Sequence, residues 1–170
     1  MINAPPNCTV LISVDGTDCP IKEPQPFDRK WYSHKFHGPG VRYEVGVAIY
    51  SGVIVWVHGP FPCGEWSDIR IVRDALIGQL CEDESYIANG GYSGAEYSIT
   101  PSGRHTFRDR QISVVRSRHE VVNQRLKEFQ CLGVRSRHPP ERHGFLFRAV
   151  ANIVNLKLKT SMTLNWQVQF

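Results

Sequence analysis

The chain has 170 residues, 41% of them apolar, and a formal net charge of +4. That length can bury one sizeable core but not two comfortable ones, so one domain is expected over residues 1–170, with its core at about 9–158. The longest apolar stretch, residues 45–57, is broken by Gly46 and by Ser51-Gly52, which excludes a membrane-spanning helix. The first residues lack a basic stretch followed by a small-residue cleavage site, so an intracellular protein is expected.

The five cysteines are widely spaced and contain no Cys-x-x-Cys pair, which argues against a disulfide framework or a zinc knuckle. His34-x-x-His37 with Cys19 or Cys63 also lacks a second close pair of zinc ligands. Charge is divided unevenly. Residues 1–101 carry 7 Lys/Arg against 12 Asp/Glu, whereas residues 102–170 carry 13 against 4. A basic half of this kind suits a polyanionic partner, with a solvated basic face as the alternative.

In chain order, residues 9–14 form a β-rich run that stops at the turn dipeptide Asp15-Gly16, placing Asp15 at a strand's C-terminal edge. Residues 20–40, with Pro20, Pro24, Pro26 and Pro39, read as a surface loop able to reach across a site. Residues 43–50 and 53–57 alternate around Ser51-Gly52 as a hairpin, and the run from Gly59 to Gly64 reads as a loop. Ser67 is placed to cap a helix whose Ile69, Val72, Ala75, Leu76 and Leu80 keep helical spacing, with Asp68 in its first turn. A short buried strand at residues 86–88 then ends at Asn89-Gly90-Gly91. A second helix is expected at about 114–132, with Val115, Val122, Leu126 and Phe129 as its apolar stripe and Arg116, Glu120, Asn123 and Lys127 on another face. A last helix is expected at 145–158, with Phe145, Ala149, Ile153, Val154 and Leu156 turned to the sheet. Residues 160–170 match no pattern and read as frayed or loosely docked. This order implies an α/β domain with a mixed sheet and helices packed on it.

Asp15 and Asn89 at strand ends, Asp68 in a first helical turn and Glu120 on a polar helix face occupy positions where chemistry is often built. Phosphodiester cleavage by two Mg²⁺ or Mn²⁺ ions needs clustered carboxylates, because hard dications prefer oxygen ligands and sit about 3.5–4 Å apart. Each residue also has an ordinary reading. Asp15 and Asn89 precede glycines as turn formers, Asp68 suits a helix dipole, and Glu120 suits a solvated helix face.

Together the stretches Val14-Asp-Gly-Thr-Asp18, Trp31-Tyr-Ser-His-Lys-Phe36, Arg42-Tyr-Glu-Val-Gly46, Ile54-Val-Trp56, Gly59-Pro-Phe-Pro-Cys-Gly64, Ala88-Asn-Gly-Gly-Tyr92 and Arg118-His-Glu-Val-Val-Asn123 resemble the successive motifs of the DDE endonuclease domain of PIF/Harbinger transposases. The resemblance covers roughly residues 10–158. It implies an RNase H-like fold, catalysis by Asp15, Asp68 and Glu120, and divalent metal (Mg²⁺ or Mn²⁺) held by Asp15, Asp68, Asn89 and Glu120. It also implies DNA as partner and a nuclear location.

Two departures stand out. The family's strand-end motif is usually Ala-Asp-x-Gly-Tyr, so Asn89 stands where an aspartate is expected, and the missing charge lowers dication affinity. With only about 14 residues before Asp15, no helix-turn-helix segment is expected upstream. DNA contacts are therefore expected from Arg116, Arg118, Arg125, Lys127, Arg135 and Arg137, unless a separate DNA-binding partner protein reads the target. The rival reading is a degenerate or domesticated transposase relic that keeps the fold as a non-catalytic DNA- or protein-binding module.

Overall fold

The computed structural model describes residues 7–160, and the expectation for the tail beyond 160 lies outside the described residues. Its centre is β1 (Val10–Pro20), flanked on one side by β3 (Gly38–Ala48) and then β4 (Ile54–Pro62), each antiparallel to its neighbour. On the other side β5 (Ser85–Ala88) and then β6 (Ser98–Ile99) run parallel to β1. The two-residue β2 (Tyr32–Ser33) pairs with the start of β3. This six-stranded mixed sheet is compatible with the RNase H-like fold anticipated above.

Alternation in β1 and β3 divides the core between the two faces. Val41, Tyr43, Val45 and Val47 pack with Val122 and Leu126 of α2 (Phe107–Lys127), Leu132 of the short α3 (Gln130–Gly133), and Phe147, Val150 and Val154 of α4 (Pro140–Thr160). Val14, Tyr86 and Ala88 face the other way, onto Val72 and Leu76. Those two residues belong to the helical segment begun by α1 (Asp68–Ile71), which widens into a π-turn over Val72–Leu76 and tightens to a 3-10 turn at Ile77–Gln79.

Several sequence expectations need correction. β1 does not stop at Asp15-Gly16; it continues to Pro20 because β3 pairs with it throughout, Gly16 facing Glu44 and Asp18 facing Arg42. β4 likewise absorbs Gly59–Pro62, expected as loop, through the pairing of Arg42 with Phe61 and Val41 with Pro62. The proline-rich loop narrows to about residues 22–37, since Gly38–Gly40 belong to β3 and Ile21 bridges to Ser136.

α2 begins at Phe107, earlier than expected. Thr106 accepts from Asp109 N–H while Asp109 accepts from Thr106 N–H, a capping box. Its buried stripe, Ile112, Val115, His119, Val122 and Leu126, steps by three and four. The expected helix to residue 132 is interrupted at Glu128–Phe129 before α3. α4 starts at Pro140, and its buried face is His143, Phe147, Val150, Ala151 and Val154. Phe145, Ile153 and Leu156, expected to face the sheet, are exposed.

Candidate active site

The parallel ladder between β1 and β5 ends at the pair Val14–Ala88. Asp15 and Asn89 are therefore the next residues on two adjacent parallel strands and lie side by side. Their side chains meet: Asn89 Nδ2 donates to Asp15 Oδ1 at 2.8 Å. Although β1 continues past Asp15, the end of β5 creates the strand-edge environment that the sequence suggested. Asn89 also caps the turn Gly90–Tyr92, its Oδ1 accepting from Gly91 N at 2.7 Å. Its amide thus turns nitrogen to Asp15 and oxygen to the backbone.

Asp15 accepts two further hydrogen bonds. Gly16 N–H donates to its Oδ1 at 2.9 Å, and Asn123 Nδ2 of α2 donates to its Oδ2 at 3.2 Å. Burial raises the Asp15 pKa, opposed by the Lys35 ammonium, the Gly16 N–H, Arg116 and Asn89. Asp15 points to the α2 face of the sheet, and Gly16 to the opposite face.

Asp68 occupies that opposite face. Ser67 starts its helix by accepting from Arg70 N–H, as the capping pattern predicts. A Cβ on Gly16 would stand 2.5 Å from Asp68 Oδ1, and one on Gly91 would stand 2.8 Å from Asp68 Oδ2 and 2.9 Å from Asn89 Oδ1. The absence of side chains at Gly16 and Gly91 therefore allows Asp68 to approach the Asp15–Asn89 pair. Burial raises the Asp68 pKa, with Arg42 and Lys35 opposing and Asp15 reinforcing the rise. Asp68 Oδ1 is buried without a hydrogen bond, although Arg42 Nη1 lies 3.3 Å away.

Glu120 is exposed on α2 and borders a narrow cleft with Ser13, Asp15, Asn89, Arg116 and His119. Of the expected ligands, Asp15 and Asn89 are in contact, Asp68 comes close to them from the opposite face of the sheet, and Glu120 stands at the rim of the cleft. Among the described residues, no three His, Cys, Asp or Glu side chains gather as a metal-binding group. In kind, two carboxylates with raised pKa values and an orphaned buried oxygen fit a hard dication. In charge the set is one carboxylate short, because Asn89 contributes an amide.

Sequence reasoning missed several residues that organise this centre. Arg42 grips Asp18 through Nε to Oδ1 at 2.7 Å and Nη2 to Oδ2 at 3.0 Å, and Ser33 Oγ donates to Asp18 Oδ2 at 2.6 Å. Burial would raise the Asp18 pKa, but the Arg42 and Ser33 hydrogen bonds outweigh it and hold the carboxyl below its usual range. Lys35 reaches in from the proline-rich loop to donate to Gly16 O at 2.8 Å. Ser13 and His119 bond at 2.9 Å beneath Asp15, and burial pushes the His119 pKa down to about 4. The cross-strand pair Asp18–Arg42 needs the hairpin register, which sequence alone left open. Asn123 was visible on Glu120's helix face but carried no signal of its bond to Asp15.

The six expected DNA-contacting residues do not form one surface. Arg116 borders the cleft, and Lys127 is exposed at the end of α2. Arg118 donates to Ile49 O at 3.2 Å and, with Arg125, lines a largely apolar groove beside Tyr50, Val114 and Leu158. Arg135 and Arg137 are exposed on either side of buried Ser136.

No protein-family model and no solved structure match the chain. A curated protein of Microchaete diplosiphon, a "Probable transposase for insertion sequence element IS702", is 26% identical to it over 162 residues. That alignment covers 87% of this chain and 57% of the relative, so the chain spans a little over half the relative's length. No helix among the described residues is long and apolar enough to cross a membrane. By this similarity the chain is transposase-like over most of its length.

Proposed function

We propose that this chain is the DNA-cutting core of a DDE-type transposase of the Harbinger kind, weakened by an amide at one of its acidic positions. The observation that supports this reading is the contact of Asp15 with Asn89 where the β1–β5 parallel ladder ends, with Asp68 of α1 approaching Asn89 from the opposite face and α2 bringing Asn123 onto Asp15 and Glu120 to the rim of the cleft. Asp15 and Asp68 would hold a divalent metal, with Asn89 and Glu120 completing the set. When bound, such a metal supplies charge neutralisation and an activated hydroxyl for in-line attack on phosphorus.

The chain's own residues perform the rest. Asn123 and Gly16 N–H fix the Asp15 carboxylate, and Arg42 keeps Asp68 beside Gly16. Arg116 at the cleft and Lys127 further along α2 offer cationic contacts to a DNA backbone. Sequence recognition falls to another segment or to a separate DNA-binding protein, because phosphate contacts carry no base information.

A non-catalytic DNA-binding module is the second reading, favoured by one observation: the Asn89 amide gives Asp15 a hydrogen-bond donor without a cation. Mn²⁺-dependent nicking of supercoiled plasmid separates the two. Nicking by the natural protein that is lost in Asp15→Ala supports the nuclease; nicking only after Asn89→Asp supports the binding module. If neither protein nicks, the nuclease reading fails.

A further inference from the structure

Asn89 is the only asparagine in the sequence followed by glycine, and the fold places that dipeptide in an unusual setting. Gly90 is exposed, and a Cβ added there would meet nothing within 4 Å. Among the described residues no acceptor is found for the Gly90 N–H, whereas Tyr92 and Ser93 N–H close the turn onto Asn89 O and Gly90 O. The Gly90 nitrogen is thus the nearest nucleophile to the Asn89 side-chain carbonyl, unhindered and not withheld by a hydrogen bond.

The other two requirements of an amide displacement are present as well. Gly91 N–H donates to Asn89 Oδ1 at 2.7 Å and so polarises the carbonyl carbon under attack. The leaving nitrogen, Nδ2, sits 2.8 Å from Asp15 Oδ1, which holds it away from the backbone. Ring closure requires the Asn89 ψ to turn from 178°, and the exposed glycines on its C-terminal side allow that rotation.

We propose that Asn89-Gly90 is a self-modification site, at which water converts the amide beside Asp15 into a carboxylate. The Gly90 nitrogen loses its proton and bonds to Asn89 Cγ; the Cγ–Nδ2 bond breaks, and nitrogen leaves as ammonia with that proton. Water then opens the cyclic imide at one of its two carbonyls, yielding aspartate at 89 or its isoaspartyl isomer. No oxidant, reductant or second protein is required. The aspartate product exchanges the Asn89–Asp15 hydrogen bond for two adjacent carboxylates, an arrangement that calls for a cation. The modification stands on the local geometry alone; its consequence for metal binding rests on the function proposed above.

The test follows intact folded protein in mildly alkaline buffer, with mass analysis of all its tryptic peptides, Asn89 lying in the one from Asp74 to Arg104. The expected result is a growing fraction carrying the amide-to-acid mass gain at Asn89, with Asn123, Asn152 and Asn155 unchanged. Gly90→Ala, which the open space accommodates, should slow that growth several-fold. Conversion seen only after denaturation, or equal rates in Gly90→Ala, would overturn the inference. Mn²⁺ calorimetry on the converted and Asn89→Asp proteins separates the two claims. If conversion occurs but neither protein binds Mn²⁺ more tightly than the unconverted one, the metal reading fails and the modification stands. Tighter binding by Asn89→Asp without any conversion of the natural protein sinks the modification and leaves the metal reading intact.

Discussion

Replacing Asn89 by aspartate tests whether the amide stands in for a cation at this centre. The change removes the 2.8 Å hydrogen bond from Asn89 Nδ2 to Asp15 Oδ1. A hydrogen bond to a charged group contributes about 1.5–3 kcal/mol. It also sets two carboxylates against each other, a repulsion of about 4 kcal/mol at roughly 4 Å with an effective dielectric of 20. Protonation of one acid limits that repulsion, so the combined cost in a chelating buffer near neutral pH is about 2–4 kcal/mol. For a chain of this size that lowers the midpoint of thermal unfolding by roughly 5–15 °C. The sign with pH follows from proton binding. The crowded carboxyl has a raised folded pKa, so the folded state holds a proton that the unfolded state has released, and the penalty grows as pH rises above about 4. Mn²⁺ at a hundredfold excess over its Kd should restore about 2.7 kcal/mol. Urea unfolding of both proteins, with chelator and with Mn²⁺, measures all of this. Equal stabilities in chelator at neutral pH, or a variant that Mn²⁺ fails to stabilise, would refute the reasoning.

Four other outcomes are expected. Glu44 is fully buried, donated to by Trp56 Nε1 at 2.9 Å, with Oε2 unpartnered, and burial pushes its pKa from 4.5 up to about 7. The folded state therefore keeps a proton that the unfolded state loses, and stability should fall by about 3 kcal/mol as pH rises between those values. Glu44→Gln should flatten that profile in urea titrations. Arg42→Ala leaves Asp18 buried without its bidentate partner and should cost about 3–5 kcal/mol, while Arg42→Lys recovers little because an ammonium lacks the guanidinium fork. Ser13→Ala removes the partner of buried His119 Nδ1 and should cost about 1–3 kcal/mol in chemical unfolding. In DNA-binding titrations, Arg116→Ala and Lys127→Ala should each reduce the slope of log affinity against log salt by about 1, whereas Arg125→Ala, in the apolar groove, should leave it unchanged.

Local chemistry made part of this architecture legible. The alternation of Tyr43, Val45 and Val47 revealed β3 because those side chains face the α4 side of the core, and Ser67 marked the start of α1 by its capping oxygen. What the sequence misplaced depended on partners far along the chain. Asp15-Gly16 is a good turn dipeptide, yet β3 pairs with it and carries β1 onward to Pro20. β6 has two residues and left no periodic signal. In α4 two apolar stripes compete, and Phe145, Ile153 and Leu156 form the one left exposed. At the site, the stops after residues 14 and 88 put Asp15 and Asn89 in comparable positions, but only the parallel register makes them neighbours. Arg118 and Arg125 shared the positive charge of Arg116 and Lys127 without sharing their face, since helix phase and not composition sets where a side chain points.

The acids around Gly16 differ in what they have left to give. Asp18, the most deeply buried of the three, is spent: Arg42 and Ser33 hold both its oxygens and keep it ionised, so it organises the hairpin and has no oxygen to offer a ligand. Asp68 shares the same arginine only through a 3.3 Å approach without a hydrogen bond, and Asp15 is met by neutral amides and a backbone N–H. For both, burial raises the pKa because the partners present do not fully replace water. A structural acid is compensated within the fold, whereas a ligand acid is left under-compensated until its cation arrives. By that criterion Asp15 and Asp68 remain available and Asp18 does not. The Asn89 amide is what makes the under-compensation tolerable, because it supplies a donor to Asp15 where a third carboxylate would have added repulsion.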